Sequence, residues 1–206
     1  MAITSTNPAT GELLRTFVPD DDATIDRKLG TAATRFQTWR HVPFVERARH
    51  LQRAAELLEA EAPALGRLAT LEMGKPLRAA RDEVLKSASG CRYYAEHAER
   101  FMRDEPYPSA ATTSYIAYQP LGVVLAIMPW NFPFWQVFRF VAPALMAGNT
   151  GVLKHASNVP QCALAIEDVL RRAGFPEGCF QTLLVESKAV ERIIADRRIA
   201  AVTLTG

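Results

Sequence analysis

Apolar residues recur every three or four positions through the first half of the chain, which is the spacing of amphipathic helices. Aspartates, prolines and a glycine mark where these helices begin and end. The predicted helices cover about residues 22–39, 43–62, 64–73 and 79–102. Pro63 separates the second from the third, because a proline inside a helix removes a backbone hydrogen bond. We therefore predict a helical N-terminal part that begins directly after a turn at residues 7–11.

The pattern changes after residue 110, where strand-like segments begin. Residues 114–118 alternate as one strand of a hairpin arm does. From Gly122 onward, short apolar strands alternate with helices. The predicted strands are residues 123–128, 151–153, 180–185 and 200–204, and the predicted helices are residues 135–147, 161–173 and 188–195. Because each strand is apolar throughout, we predict an α/β fold with a doubly wound parallel sheet that helices cover on both faces.

Composition restricts the kind of partner. The 206 residues are 49% hydrophobic and 22% charged, as in ordinary globular proteins. The net charge of +2 favours neither a nucleic acid nor an anionic membrane surface. Prolines and a glycine interrupt the longest charge-poor stretch, residues 121–153, which therefore predicts a buried core and no membrane span. A small-molecule partner and a cytoplasmic location are expected.

Cysteines and histidines predict neither a disulfide framework nor a metal site. The three cysteines stand at irregular spacing, and the four histidines lack the spacing of metal ligands. Cys162 and Cys179 are predicted as small core residues. Cys91 could be exposed, but no neighbouring histidine would activate it. None of the three is predicted to act as a nucleophile.

The segment 127–133 follows the first apolar strand of the predicted sheet. Ligands of open parallel sheets bind beyond the carboxyl ends of the strands, so a site is expected here. Asn131 lies among prolines and tryptophans, and its amide is a neutral donor suited to stabilising an oxyanion. The alternative is that Asn131 ties down the turn backbone.

Several motifs, in order and spacing, resemble the N-terminal part of NAD(P)-dependent aldehyde dehydrogenases, and among these the bacterial succinate-semialdehyde dehydrogenases. The motifs are residues 71–76 (Leu-Glu-Met-Gly-Lys-Pro), 129–133 (Pro-Trp-Asn-Phe-Pro), 143–145 (Pro-Ala-Leu) with 148–149 (Gly-Asn), 153–154 (Leu-Lys) and 173–178 (Ala-Gly-Phe-Pro-Glu-Gly). The resemblance implies oxidation of an aldehyde, with succinate semialdehyde expected, to the carboxylic acid with NADP or NAD. It also implies a homo-oligomer in the full-length form.

The resemblance assigns Asn131 as the catalytic oxyanion-hole amide, which holds the substrate oxygen while a cysteine thiolate adds to the aldehyde. It implies that residues 1–110 are the helical N-terminal part of a Rossmann-like cofactor-binding domain. Residues 111–121 are then the hairpin arm, and residues 122–206 the first half of the parallel-sheet NAD(P)-binding domain. The nucleophilic cysteine would follow Gly206, so the catalytic domain is expected to be absent from this chain.

The resemblance also implies which residues bind the cofactor. They are Met128, Pro129, Trp130, Lys154, Ser157, Thr205 and Gly206. In the resembled family, the lysine that matches Lys154 binds the adenosine ribose. Where NAD is preferred, a glutamate often stands three residues after that lysine. Ser157 stands there in this chain, and its hydroxyl would not repel a 2′-phosphate, so NADP is expected to be tolerated. The alternative is that Ser157 caps the following helix.

Arg139 is the only charged residue in the segment 121–153. Burial of an unpaired guanidinium is costly, so Arg139 should face solvent or an anionic partner. The resemblance implies contact with the carboxylate of the substrate, and the alternative is an internal ion pair. For the chain as a whole, two alternatives to an enzyme remain, a non-catalytic nucleotide-binding or interaction module and a truncated inactive product.

Overall fold

A computed structural model describes residues 2–206. Its strands are β1 (Ile3–Thr6), β2 (Leu13–Phe17), β3 (Glu105–Pro106), β4 (Tyr115–Ile116), β5 (Val123–Met128), β6 (Thr150–His155), β7 (Phe180–Thr182) and β8 (Ile199–Leu204). Its helices are α1 (Asp22–Trp39), α2 (Phe44–Met73), α3 (Leu77–Phe101), α4 (Trp135–Met146), α5 (Pro160–Arg172) and α6 (Val190–Ile194), and a 3-10 turn at Ser187–Ala189 precedes α6. The predicted alternation of strands and helices after Gly122 is therefore confirmed.

The central sheet of the described chain has four parallel strands in the order β7-β6-β5-β8. The chain adds β6 and β7 on one side of β5 and then crosses to add β8 on the other side. Such a reversal is the switch point of a doubly wound sheet, and ligands bind beyond the strand ends at this point. The predicted parallel sheet is confirmed.

Two apolar cores cover the two faces of this sheet. On one face, Ala126 and Leu153 pack in a core that also contains the buried sides of α2, α3, α4 and α5. On the opposite face, Leu125 and Val152 pack against α1 and Ile193 of α6. The alternation along β5 and β6 follows from the strand period of two, which turns successive side chains to opposite faces. The sheet is thus held between two helical layers.

The prediction that Pro63 separates two helices is wrong, because α2 runs unbroken from Phe44 to Met73. Pro63 lies on the exposed side of the helix, while Ala62 and Leu65 beside it are buried. The helix packs closely on α3: a Cβ on Gly66 would lie 2.9 Å from the backbone nitrogen of Arg81. Packing along this contact outweighs the cost of about 3 kcal/mol of a proline inside a helix.

The N-terminal segment also differs from the prediction of a helix directly after the turn. Strands β1 and β2 pair antiparallel, with Ile3 opposite Phe17, and the predicted turn at residues 7–11 connects them. Gly11 has φ +74° there, a left-handed conformation that glycine adopts without steric cost. The predicted hairpin arm, residues 111–121, contains β4, and β4 pairs with β3, which lies before the predicted bounds; both strands are exposed. No helix in residues 2–206 has the length and apolar character needed to cross a membrane.

Candidate functional site

Three strands of the central sheet end side by side. Ile127 of β5 lies opposite Lys154 of β6 on one side and opposite Leu204 of β8 on the other. Beyond this line, the backbone N–H of Thr205 donates to the carbonyl oxygen of Ile127 at 3.1 Å. The segments that carry the predicted site residues therefore leave the sheet at one edge, which is where the switch point predicts a ligand crevice.

The loop of residues 129–133 leaves the sheet from the end of β5. Trp130 and Asn131 are exposed in it. The side chain of Asn131 makes no hydrogen bond to any residue in the described range 2–206, so it does not tie down the turn backbone. Its amide is a neutral donor that remains available to a ligand.

A buried ion pair holds the far end of this loop, where α4 begins. One carboxylate oxygen of Glu83 accepts hydrogen bonds from the backbone N–H groups of Phe134 (2.8 Å) and Trp135 (3.0 Å). The other oxygen is paired with the ammonium of Lys75, which also lies 3.5 Å from the ring centroid of Phe132. The carboxylate occupies the helix N-terminus, where free amides and the helix dipole favour negative charge. The residue after Asn131 is thereby packed against Lys75.

His155 joins the end of β6 to the same loop. Its Nε2 lies 2.9 Å from the carbonyl oxygen of Pro133, and its Nδ1 lies 2.9 Å from the backbone nitrogen of Ala156. The ring is 5% exposed, and burial lowers the pKa of His155 to about 4. The imidazole is therefore neutral at physiological pH, a packed residue within the protein interior.

Lys154 is 9% exposed and stands beside His155 on β6. Within residues 2–206 its ammonium has no ion pair and no hydrogen bond, and burial lowers the pKa of Lys154. A buried ammonium without a hydrogen-bond acceptor is costly. The position of Lys154 therefore favours a bound ligand that supplies an acceptor at the carboxyl end of β6.

Ser157 does not cap α5, so the helix-cap alternative is wrong. The N-cap position is occupied by Val159, and no side chain at that position bonds to the helix. The cap comes from α2: Glu72 accepts from the N–H groups of Gln161 (3.0 Å) and Cys162 (2.8 Å). Because Glu72 caps α5, the helix needs no cap from Ser157. The hydroxyl of Ser157 is exposed and makes no hydrogen bond to the helix.

Arg139 lies on the exposed side of α4 and lines a cleft of about 340 Å³. The same cleft is lined by Met128 and Thr205, whereas Asn131, Lys154 and Ser157 do not line it. No ion pair of Arg139 forms within the part of the chain that the structure describes, so the internal ion pair is not found. A guanidinium at the wall of a cleft can bind a carboxylate through two parallel hydrogen bonds.

All three cysteines are buried, so the suggestion that Cys91 could be exposed is wrong. Cys91 lies on the side of α3 that packs into the core with α2 and α4. Burial raises the pKa of each thiol, that of Cys179 to about 12. Among residues 2–206 no cluster of three histidine, cysteine or acidic side chains could hold a metal ion. The thiols of this chain are thus unsuited to nucleophilic attack.

Sequence inspection did not assign a role to Glu72, Lys75, Glu83 or His155. The signal that could have found the two glutamates is their position on the apolar side of α2 and α3, where each is buried. Charged residues are seldom fully buried without a partner. A glutamate in an apolar stripe therefore predicts a cap or an ion pair to another element.

Comparison with known proteins gives a consistent result. The model of the aldehyde dehydrogenase family matches residues 1–206. A curated succinate-semialdehyde dehydrogenase [NADP(+)] from Mycobacterium avium is 58% identical over 210 residues, which cover 100% of this chain and 44% of the relative. The succinate-semialdehyde dehydrogenase [NADP(+)] 1 of Mycobacterium tuberculosis is 57% identical over 209 residues, 100% of this chain and 46% of the relative.

A solved structure shows the same arrangement. The succinic semialdehyde dehydrogenase from Streptococcus pyogenes, in complex with NADP+, superposes with a TM-score of 0.94 at 33% identity, over 98% of this chain and 44% of that chain. The chain thus spans less than half the length of these relatives.

Proposed function

The chain belongs to the aldehyde dehydrogenase family, and we propose that it supplies the cofactor-binding and oxyanion-binding part of an enzyme that oxidises succinate semialdehyde. The observation that carries this proposal is that two unpaired donors stand at the carboxyl ends of the neighbouring strands β5 and β6, and that a third stands on α4, the helix that follows β5. These donors are the amide of Asn131, the ammonium of Lys154 and the guanidinium of Arg139. In this proposal residues 122–206 are the first half of the NAD(P)-binding domain.

Lys154 and Ser157 suit a dinucleotide. A buried ammonium without a protein acceptor can donate to ribose hydroxyls and attract a 2′-phosphate. Ser157, three residues later, has an exposed hydroxyl, which does not repel that phosphate. The relatives are named as NADP+-dependent enzymes, which supports NADP as the preferred cofactor, with NAD as the second possibility. Bound here, the nicotinamide would supply the hydride acceptor that oxidation of an aldehyde requires.

Further residues of the proposed cofactor site follow β5 and β8. Met128, Pro129 and Trp130 leave β5, and Thr205 and Gly206 leave β8. Met128 and Thr205 line one cleft, which supports their inclusion in a common site. The backbone around Thr205 is bonded to β5, so the two segments keep a fixed separation.

Asn131 would stabilise the oxygen of the reacting aldehyde. When a thiolate adds to an aldehyde, negative charge develops on that oxygen, and a fixed amide donor binds the charged oxygen more strongly than the neutral carbonyl. One such donor contributes about 2.7 to 4 kcal/mol to transition-state stabilisation. The buried thiols of residues 2–206 do not supply the nucleophile, so the proposal places it in the part of the relatives that this chain does not span.

Arg139 would select the acidic aldehyde. Its guanidinium lines the cleft with Met128 and Thr205, so a carboxylate bound to it would lie beside the proposed cofactor segments. Succinate semialdehyde carries one carboxylate and one aldehyde, and the pairing of the carboxylate with Arg139 would orient the aldehyde end. Arg139, the one charged residue of α4, is thereby given the role of binding the substrate carboxylate.

Titration calorimetry with NADP+ on the folded chain tests this proposal. Lys154→Met should weaken binding about 10- to 100-fold, because hydrogen bonds to a charged group are worth about 1.5–3 kcal/mol. Lys188→Met is the matched control, since Lys188 is exposed and paired with Glu186 in the turn before α6. An unaltered affinity in Lys154→Met, or a folded chain without affinity for NADP+, would contradict the proposal.

A further inference from the structure

His155 is connected to both ends of the loop that carries Asn131. At the start of the loop, Met128 lies opposite His155 in the sheet, and the N–H of Ala156 donates to the carbonyl of Met128 at 3.0 Å. At the end of the loop, Nε2 of His155 reaches the carbonyl oxygen of Pro133 at 2.9 Å. The four residues between these two contacts, 129–132, are therefore held at both ends by the end of β6.

The contact with Pro133 defines the tautomer of the neutral imidazole. The carbonyl of Pro133 can only accept, so Nε2 carries the proton and donates it. Nδ1 is then an acceptor, and it lies 2.9 Å from the backbone nitrogen of Ala156, whose N–H also donates to the carbonyl of Met128.

Between these points Phe132 is held by the ammonium of Lys75 over its ring and by the N–H of Gln136, which donates to its carbonyl at 3.1 Å, whereas the two residues before it lack such contacts in the described part of the chain. Trp130 and Asn131 are exposed, and the Asn131 amide has no partner within residues 2–206. Pro133 has no N–H, so its carbonyl is the hydrogen-bonding group that its backbone offers. The ion pair of Lys75 and Glu83 fixes the beginning of α4, one residue beyond the contact of His155.

We propose that His155 is a positioning residue for Asn131, which fixes the oxyanion amide relative to the strand that carries Lys154. The imidazole donates to Pro133 from the position next to Lys154, so the two proposed ligand-binding groups are held by neighbouring residues of β6. This inference rests on the proposed function of Asn131. His155 itself touches neither substrate nor cofactor in this proposal, and it acts through the loop.

Two measurements on the chain of 206 residues test the positioning. Nitrogen-15 NMR of the imidazole should show a proton on Nε2 at pH 7, and an Nδ1–H tautomer, in which Nε2 carries no proton, would overturn the proposal. Amide relaxation should give order parameters near 0.85 for Trp130, Asn131 and Phe132, and His155→Leu should lower them below about 0.6. Unchanged order parameters in a folded His155→Leu protein would also overturn it.

Two further variants separate positioning from a general loss of packing. His155→Gln keeps a nitrogen donor near the position of Nε2 and should restore much of the loop order. His50→Leu is the matched control, because His50 is half-buried and its Nδ1 lies 3.3 Å from the carbonyl of Ala173, away from the loop. It should leave the loop order unchanged. If His155→Leu does not fold, the tautomer of His155 and the loop order of His155→Gln decide. Loop order parameters below about 0.6 in a folded His155→Gln protein would then count against the proposal.

The catalytic consequence is measured in a chimera of residues 1–206 with the C-terminal remainder of the Mycobacterium tuberculosis relative. His155→Leu should lower kcat about 10- to 100-fold with little change in the KM for NADP+, because a displacement of about 1 Å has this effect. His155→Gln should recover most of kcat. If Asn131→Ala lowers kcat and His155→Leu does not, the positioning role is wrong. If Asn131→Ala leaves kcat intact, the proposed function fails, while the order parameters still decide whether His155 holds the loop.

Discussion

The carboxylate of Glu83 joins the ammonium of Lys75 to the first amides of α4, and both side chains are almost removed from solvent, at 2% and 10% exposure. Lys75 also packs on the ring of Phe132, the residue after Asn131. The connection between α2 and α3, which carries Lys75, and α3 itself thus set the end of the loop that follows β5. The position of Asn131 depends on residues that are not themselves in the proposed site.

Removal of this carboxylate should destabilise the fold strongly. Glu83→Ala leaves the ammonium of Lys75 buried without a partner and deprives two amides of their acceptor, which typically costs about 3–5 kcal/mol. Urea denaturation measures the change in the free energy of unfolding. Glu99→Ala, an exposed position on the same helix, should change it by less than about 0.5 kcal/mol.

A double variant checks that the loss comes from the unpaired charge. Lys75→Met combined with Glu83→Gln removes both charges and keeps an amide oxygen for Phe134 and Trp135. It should be more stable than Glu83→Ala alone, because the penalty of a single buried charge is gone. Equal stability of the two proteins would show that the ion pair is not the cause.

The native thiols should resist alkylation. Burial raises the pKa of Cys179 to about 12, so the thiolate fraction at pH 8 is about one in 10⁴. Iodoacetamide followed by mass spectrometry should label none of the three cysteines in the folded chain and all of them after denaturation. Rapid labelling of one cysteine in the native state would reveal a reactive thiol and contradict the assignment of all three to the core.

A carboxylate at position 157 should discriminate between the two cofactors. In the proposed site Ser157→Glu repels the 2′-phosphate, so NADP+ binding should weaken by about 1–3 kcal/mol more than NAD+ binding. Calorimetric titration with both nucleotides measures the difference, and Ser157→Gln controls for the size of the side chain. Equal losses for the two nucleotides would put Ser157 outside the ribose pocket.

Arg139 should distinguish acidic from neutral aldehydes. In the chimera, Arg139→Ala should raise the KM for succinate semialdehyde about 10- to 100-fold, since one charge-assisted pair with the substrate carboxylate is lost. The KM for butyraldehyde, which has no carboxylate, should change little. Arg67→Ala, an exposed arginine of α2, is the control and should alter neither. Equal effects on the two aldehydes would assign Arg139 a structural role.

The second half of the fold could be predicted from sequence because strand and helix have different apolar periods there. Residues 123–128 and 135–147 each carry the signal of their own element, and the structure has β5 and α4 at these places. The prediction at Pro63 was wrong because the sequence shows only the local cost of a proline inside a helix. The packing of α2 on α3, which offsets that cost, comes from a distant segment. The strand β2 was missed because its five residues give too short a pattern beside the helix that follows.

The supports of the site could not be predicted in the same way. Glu83 bonds to Phe134 across 51 positions of sequence, and Glu72 bonds to Gln161 across 89 positions. No local pattern marks such partners, because a helix cap is normally sought within three residues of the helix start. The segment that carries Asn131 was found from sequence since it directly follows an apolar strand, while its supports became visible only in three dimensions.

If Asn131 stabilises the oxygen of the reacting aldehyde, as proposed, the steady-state kinetics of Asn131→Ala in the chimera should reveal the loss of this donor. In this variant kcat for succinate semialdehyde should fall about 10²- to 10³-fold, while the affinity for NADP+ and the circular dichroism spectrum remain unchanged. Asn158→Ala, an exposed asparagine before α5, should keep full activity. An unchanged kcat in Asn131→Ala, or a loss explained entirely by weaker NADP+ binding, would contradict the claim.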